Sequence, residues 1–204
     1  MSYFITFEGA DGCGKTTQLN LLAENLKERG FDVVVTREPG AKGLGEQIRK
    51  ILLDYDGDVS DRCESFLFLA DRAQHIDFIV NPAIESKKIV LCDRHTDSTV
   101  AYQGYGRELP IDRIKELNNI AVNGRKPDLT IIFDIDVETS MKRVGENKDR
   151  MESSGIAFFN RVRNGYLKIA QEEPNRVKII DSKGTIEQIQ CQVTEIVDEL
   201  LNSL

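Results

Sequence analysis

The fold is decided by one short stretch of the 204-residue sequence, Gly9-Ala10-Asp11-Gly12-Cys13-Gly14-Lys15-Thr16-Thr17. This stretch satisfies the pattern G-x-x-x-x-G-K-[ST]. An apolar run at Tyr3–Phe7 precedes it, and leucines at positions 19, 22 and 26 follow it with helical spacing. A glycine-rich loop between a strand and a helix is typical of a phosphate-binding site, so the whole stretch is the predicted ATP site.

Each part of this loop has a chemical use. Glycines allow positive φ angles, so successive backbone N–H groups can point at phosphate oxygens, and the helix N-terminus adds partial positive charge. Lys15 supplies a full charge toward the β- and γ-phosphates. Thr16 offers a hydroxyl oxygen to Mg²⁺, the cofactor that we expect to arrive with ATP.

Outward from the loop, apolar runs alternate with helical periodicity along the chain. Four further strands are predicted at residues 31–36, 89–92, 129–133 and 177–180. Apolar strands separated by helices indicate a parallel sheet covered on both faces, because parallel strands need helical crossovers. The predicted fold class is therefore α/β, with a five-stranded parallel sheet flanked by helices in three layers.

Composition and net charge limit the number of domains, the kinds of partner and the cellular location that we expect. A chain of 204 residues with 40% hydrophobic content fits one domain, residues 1–204. Its net charge of -7 argues against binding to nucleic acid or anionic lipid. The start, MSYFITF, lacks the basic region typical of a signal peptide, and no apolar run is long enough to span a membrane, so we expect a cytoplasmic protein with reduced cysteines.

Two predicted strands end in an aspartate that could hold Mg²⁺. These are Asp93 and Asp134, and sequence spacing alone does not choose between them. Arg94 follows Asp93 at a strand end, and Arg37 follows the second strand in the same way. Because ligands bind at the carboxyl ends of parallel strands, both arginines are expected to face one crevice.

The number of arginines bears on the acceptor. A phosphate monoester is already anionic and needs cations rather than a base, whereas an alcohol acceptor needs a carboxylate base. Four arginines could serve such an acceptor, namely Arg37, Arg49, Arg72 and Arg94. The polar segment at about 142–155 adds more cations and is predicted to be a mobile lid that closes over ATP.

With these features placed, the sequence resembles the thymidylate kinase family over nearly its whole length. The markers are Phe7-Glu8-Gly9, Thr36-Arg37-Glu38-Pro39-Gly40, Asp93-Arg94 and Ala101-Tyr102-Gln103-Gly104. The resemblance implies a P-loop NTPase fold, transfer of the γ-phosphoryl group of ATP to dTMP to give dTDP and ADP, and a homodimer. It also implies a cis bond between Glu38 and Pro39.

The resemblance further implies roles for single residues. Arg37, Arg49 and Arg94 would hold the acceptor phosphate, and Glu8 would belong to the dTMP site. Phe68 would stack on thymine, Arg72 would donate to a thymine carbonyl, and Thr99 and Gln103 would lie at the N3 and O4 edge. Tyr102 would crowd the 2′ position of the sugar. Asp93 would organise Mg²⁺ together with Thr16, partly through water.

The catalytic set implied by the resemblance is Lys15, Asp93, Arg94 and Arg150. The loop between Gly9 and Gly14 holds no basic residue, so the family type with an arginine in the lid fits, and Arg150 is the expected bridge between donor phosphates. His95 stands where an aromatic residue commonly follows Asp-Arg. We expect its side chain to border the sugar pocket and to titrate near neutral pH.

Two other functions stay open at this point. A deoxynucleoside kinase would use Glu8 as the base for a 5′-hydroxyl and would leave most of the arginines without a purpose. A non-catalytic ATP-binding module would bind nucleotide without turnover, although Lys15, Thr16 and Asp93 are all present.

Overall fold

The structure, a computed structural model, describes residues 2–144 and 154–202, together with all side chains in them except that of Val144. Five strands form one sheet, in which all described pairings are parallel. They are β1 Phe4–Glu8, β2 Val33–Arg37, β3 Ile89–Asp93, β4 Leu129–Asp134 and β5 Val177–Asp181. The order across the sheet is β2-β3-β1-β4-β5. The five predicted strands are confirmed.

Helices connect and cover the strands. They are α1 Lys15–Glu28, α2 Leu44–Asp54, α3 Asp61–His75, α4 Asn81–Glu85, α5 Thr96–Thr99, α6 Ile111–Val122, α7 Val137–Val144, α8 Ile156–Glu172 and α9 Ile186–Leu201. Two π-helical segments, Ile76–Val80 and Val100–Gly106, continue α3 and α5. Such segments are uncommon and recur near functional sites.

Side chains of β4 show how the layers form. Ile131 and Phe133 belong to the core cluster that includes residues of α1 and α9. Ile132 points the other way, into the cluster that includes α6 and α8. Because successive residues of a strand face opposite sides, one apolar strand serves two cores, and the predicted three-layer α/β architecture is confirmed.

The edges of the sheet are less covered than its centre. All five residues of β1 are buried, whereas Val35 of β2 is 44% exposed and Ile179 of β5 is 45% exposed. The expectation of full cover on both faces therefore holds for the inner strands only. β2 and β5 are the edge strands, and each has a sheet neighbour on one side only.

The sheet order positions the site. β1 lies at the centre, with β3 on one side and β4 on the other. The phosphate loop leaves the carboxyl end of β1, so it is flanked by the carboxyl ends of β3 and β4. In an open parallel sheet this central crevice is where ligands bind.

Within the described ranges, none of the helices combines the length and the apolar character that a membrane span requires. All four cysteines are free.

Candidate active site

The loop between β1 and α1 has the conformation that phosphate binding needs. Gly9, Gly12 and Gly14 adopt φ angles of 140°, 74° and 93°. A Cβ on Gly9 would lie 2.7 Å from the carbonyl oxygen of Phe133, so only glycine fits there. The Lys15 ammonium folds back over the loop and donates to the carbonyl of Ala10 at 3.3 Å. The loop therefore has the shape and charge of a phosphate cradle.

A cleft of about 590 Å³ opens beside this cradle. Lys15 and Thr16 line one wall, and three arginines line the others: Arg37, Arg49 and Arg94. Arg37 pairs in the sheet with Asp93, so the ends of β2 and β3 meet at one place. The prediction that Arg37 and Arg94 face one crevice is confirmed, and the cleft can hold two anionic groups close together.

The choice between the two strand-end aspartates is decided by their partners. The Thr16 hydroxyl donates to Asp93 at 2.5 Å, so two oxygen ligands for a divalent cation face each other beside the loop. Asp134 instead accepts two hydrogen bonds from Arg163, at 2.6 and 2.8 Å. Its charge is already compensated by an arginine, so Asp93 is the better candidate for Mg²⁺.

Arg94 is held from several sides at the rim of the cleft. It donates to Asp11 at 2.6 Å and to the Tyr102 hydroxyl at 3.2 Å, and its guanidinium lies 5.0 Å from the centre of the Tyr102 ring. Its backbone adopts a left-handed φ of 71°, which is strained for a non-glycine residue and typical of functional sites. Arg94 thus stands preorganised beside the phosphate loop.

Asp11 belongs to the same charged group. Burial opposes its ionisation, but the Arg94 and Lys15 charges hold the pKa of Asp11 below its ordinary value. Asp11 is therefore the anion that pairs with both Lys15 and Arg94 beside the phosphate loop.

Glu8 lies beneath Arg94 and lines neither the cleft nor the smaller pocket that adjoins the cleft. Its carboxylate accepts hydrogen bonds from the Ser98 hydroxyl at 2.5 Å and the Tyr166 hydroxyl at 3.0 Å. Both hydroxyls also contact Arg94. Burial and the neighbouring Asp97 charge raise the pKa of Glu8 from its ordinary value of 4.5 to about 7. A contact of Glu8 with a substrate would accordingly run through Ser98 or Tyr166.

A smaller pocket of about 80 Å³ adjoins the cleft and shares Arg49 and Arg94 with it. The residues expected around a flat base and its sugar all line it: Phe68, Arg72, Thr99, Tyr102 and Gln103. Two come from α3, and three come from α5 and the π-helical segment that continues it, about 25 residues or more further along the chain. The pocket therefore combines an aromatic face with several polar side chains, as a base-binding site requires.

Arg72 is almost fully buried, and each of its three side-chain nitrogens faces a protein acceptor. It donates to Glu38 through Nε at 2.9 Å, and to Thr99, Asn118 and the His95 carbonyl at 2.6 to 2.8 Å, while Nη2 also lies 2.8 Å from Glu38 as an ion pair. A hydrogen bond from Arg72 to a base would thus replace or share one of these.

Behind Arg72 a second group of titratable side chains gathers around Glu38. His75 and His95 each point Nδ1 at the same carboxylate oxygen, at 2.6 and 2.8 Å. Because a carboxylate only accepts, both Nδ1 atoms carry a proton. Burial opposes ionisation, yet the Arg72 charge and then His95 hold the pKa of Glu38 well below its ordinary value.

The expected position of His95 is wrong. Its side chain lies under the site, fully buried against Phe4 at a ring distance of 4.9 Å, and lines neither the cleft nor the pocket. Burial also lowers the pKa of His95 below its ordinary value, against the expected titration near neutral pH. The left-handed turn at Arg94 faces that arginine to the cleft while His95 enters the core.

Other parts of the predicted site fall at the limit of the described chain. Arg150 lies outside the described residues, as does most of the predicted lid. Residues 142–144, at its start, belong to α7. From that helix end Arg143 reaches the carbonyl oxygens of Gly12 and Ser182, at 3.5 and 3.4 Å. One cation of the segment thus stands against the phosphate loop. The expected cis peptide bond between Glu38 and Pro39 is present.

Several site residues were not found from the sequence. Ser98, Tyr166 and Asn118 carry no motif, and each comes from a different helix or helical turn. Glu38 lies inside a quoted marker, and an acidic residue between Arg37 and a proline is a signal that could have drawn attention to it.

Comparison with known proteins agrees with this geometry. The sequence model of the family described as "Thymidylate kinase" matches residues 7–193. A thymidylate kinase of Geotalea uraniireducens is 46% identical, and the alignment covers 97% of this chain and 97% of the relative. A thymidylate kinase of Exiguobacterium sp. is also 46% identical, with 97% and 95% covered.

A solved structure is similar as well. The crystal structure of thymidylate kinase from Ehrlichia chaffeensis has a TM-score of 0.80 and 39% sequence identity, and covers 97% of this chain and 98% of that one. These likenesses extend over the complete fold and are not confined to the phosphate loop.

Proposed function

The chain belongs to the thymidylate kinase family, and on that premise we propose how its residues transfer the γ-phosphoryl group of ATP to dTMP, giving dTDP and ADP. The observation that carries the proposal is the cleft in which a phosphate loop and three arginines face each other. An ATP-dependent nucleoside monophosphate kinase needs these two anion sites side by side.

On the donor side, the loop Gly9–Thr17 binds the phosphates of ATP through its backbone N–H groups and Lys15. Thr16 and Asp93 would hold Mg²⁺, partly through water, since their two oxygens face each other. The ion neutralises charge on the β- and γ-phosphates when it is bound.

On the acceptor side, Arg37, Arg49 and Arg94 bind the dTMP phosphate. This phosphate is already anionic, so the reaction needs no general base, and the work of the protein is to bring two anions together. Arg94 is best placed to stabilise the group in transit, because Asp11, Tyr102 and Ser98 orient it from three sides.

The base lies in the adjoining pocket. Phe68 offers a ring face for stacking, and Arg72, Thr99 and Gln103 offer polar groups to the base edge. Tyr102 lines the pocket beside Arg94, where it would crowd a 2′-hydroxyl. Arg150 from a lid at about 142–155 remains our candidate for the cation that bridges the donor phosphates.

A deoxynucleoside kinase is the second candidate and is less favoured. It would need Glu8 as a base facing a 5′-hydroxyl, whereas Glu8 is buried under Arg94 and lines neither cavity. A non-catalytic ATP-binding module would leave the acceptor arginines without a ligand.

The acceptor profile tests the proposal. ADP release is measured with dTMP, dUMP, UMP, dCMP and thymidine, and the products are identified by chromatography. We expect dTDP as the main product and dTMP as the preferred acceptor. Activity on thymidine without activity on dTMP would refute the proposal, and ATP binding without turnover of any acceptor would favour the binding module.

Three further features belong to the proposal. The chain would work as one domain, as a homodimer, and in the cytoplasm, without nucleic acid or membrane as partners. The exposed side chains of Phe66 and Phe78, on α3 and the π-helical segment after it, favour self-association. The net charge of -7 argues against a nucleic-acid partner.

A further inference from the structure

The buried carboxylate of Glu64 lies behind the base pocket and contacts Gln103, a residue whose side chain lines that pocket. Glu64 of α3 is fully buried and accepts a hydrogen bond from the Gln103 side-chain Nε2 at 3.0 Å. Gln103 itself is 1% exposed and lines the pocket. In the described part of the chain, the amide oxygen of Gln103 has no hydrogen-bond partner.

The chemistry of this contact decides which way the amide faces. A carboxylate carries no proton to donate when ionised, so only the NH₂ end of the Gln103 amide can face Glu64. Rotating the amide by 180° would place its oxygen against a carboxylate oxygen in a buried position, which is unfavourable because neither atom can donate. The amide oxygen is thereby kept as the free acceptor.

Pyrimidine bases differ in the pattern that such an amide can read. Thymine and uracil present a ring N3–H donor beside the O4 acceptor, whereas cytosine presents a bare N3 acceptor beside an amino donor. An amide with its oxygen as the free acceptor and one N–H to spare suits the first pattern. The same amide turned round suits the second.

We propose that Glu64 determines base specificity by holding the Gln103 amide in the orientation that accepts an N3–H base and rejects a cytosine base. Glu64 is a positioning residue, since it acts through Gln103 and does not line the pocket. The inference rests on the proposed function, because it needs a nucleoside monophosphate in this pocket.

Arg107 provides the means to separate orientation from charge. It donates to Glu64 Oε1 through Nε at 3.3 Å and to Oε2 through Nη2 at 3.2 Å. Gln103 Nε2 and Arg107 Nε both donate to Oε1. These two donors favour an oxygen at that position, so we expect the new side chain of Glu64→Gln to keep its oxygen toward Gln103, although the charge is lost.

The test compares kcat/KM for dTMP with kcat/KM for dCMP in four single variants and one double variant. In Glu64→Met nothing orients the amide, and we expect the ratio of the two constants to fall about tenfold or more, with the KM for ATP unchanged. Glu64→Gln should keep most of the ratio. Asp61→Asn is the matched control, because Asp61 lies 3.5 Å from Arg107 but has no contact with Gln103. In Gln103→Met, adding Glu64→Met should change the ratio no further.

The outcomes separate the two proposals. If the wild type does not phosphorylate dTMP, the proposed function fails before any variant is compared. If it does, an equal loss for both substrates in Glu64→Met, or a Glu64→Gln variant as poor as Glu64→Met, overturns the orienting role. If Glu64→Met does not fold, the double variant Glu64→Gln with Arg107→Met replaces it, because without Arg107 the new amide can turn and no longer fixes the Gln103 amide. An unchanged ratio of the two constants in this double variant would also overturn the orienting role.

Discussion

At the scale of single residues, two arginines of the site are paired with carboxylates of the protein. Arg94 is paired with Asp11, and Arg72 with Glu38, and both pairs are partly or wholly shielded from water. An arginine held in this way keeps its orientation, so less freedom is lost when phosphate or base binds. Preorganisation is thus carried by carboxylates that need not touch substrate.

Arg94 gives the first prediction. We expect Arg94→Ala to lower kcat by about a thousandfold or more while ATP affinity stays near normal, since the arginine serves the acceptor phosphate and the transition state. Steady-state kinetics and equilibrium binding of ATP measure the two effects. The control is Arg29→Ala, which removes an arginine paired with Asp198 on the surface. Near-normal turnover of Arg94→Ala would remove this residue from the mechanism.

Glu8 gives a prediction about pH. Its pKa is raised from 4.5 to about 7 in the folded chain, so the folded state holds this proton more tightly than the unfolded state does. The resulting stability is fully present below about pH 4.5 and is lost as the pH rises through about 7, about 3 kcal/mol in all. Glu8→Gln cannot ionise and should lack this loss.

Urea unfolding at pH 5 and pH 8 measures the effect. The free energy of unfolding of the wild type should fall relative to that of Glu8→Gln between these two values. Glu24→Gln, on the exposed side of α1, is the control and should run parallel to the wild type. A constant difference between wild type and Glu8→Gln would contradict the raised pKa.

At the scale of elements, the carboxyl ends of adjacent strands act as one unit. β1 supplies the phosphate loop, β3 supplies Asp93 and Arg94, and β2 supplies Arg37. The register pairs Arg37 with Asp93 across the sheet, so the positions of these groups are tied to backbone hydrogen bonds rather than to a flexible loop. The π-helical segment Val100–Gly106 then carries Tyr102 and Gln103 to the pocket.

The two strand-end aspartates give a prediction at this scale. Asp93→Asn should lower kcat and raise the Mg²⁺ concentration needed for half-maximal rate, because it removes a charged oxygen ligand. Asp134→Asn should leave the Mg²⁺ dependence unchanged and cost about 1 kcal/mol or less of stability, because its partly exposed ion pair with Arg163 is lost. Titration of activity with Mg²⁺ and thermal unfolding distinguish them, and a shifted Mg²⁺ dependence in Asp134→Asn would contradict the assignment.

At the scale of the whole molecule, the large apolar side chains exposed at the surface indicate where a second copy of the chain could bind. Phe66 is 58% exposed and Phe78 is 71% exposed, both within the continuous helical stretch of α3, the π-helical segment and α4. Two large aromatic side chains facing water on one stretch are typical of an interface.

This surface gives the last prediction. The combined variant Phe66→Lys and Phe78→Lys should be monomeric at a concentration where the wild type is dimeric, because charged groups cannot be buried unpaired in an apolar interface. Light scattering after size-exclusion chromatography gives the mass directly. Ile186→Lys is the control, since Ile186 is 52% exposed but lies on α9. A wild type that is monomeric would contradict the proposed homodimer.

Much of this molecule follows from the sequence because its signals are local. The loop pattern at Gly9–Thr17, the five apolar runs and the crossover rule together predicted the sheet, its parallel direction and the phosphate cradle. The markers of the family resemblance predicted which residues line the base pocket. Backbone geometry and hydrophobic periodicity act over a few residues, so a linear sequence contains them.

Tertiary structure alone decided which charged groups meet. Asp93 and Asp134 look alike in sequence, but only folding brings Arg163 to one and Thr16 to the other. His95 could be expected at the sugar pocket until the turn at Arg94 sent it into the core, and no motif joins Glu64 to Gln103. Electrostatic and hydrogen-bond energies depend on distance and burial in space, which residues far apart in the chain acquire only when the layers pack.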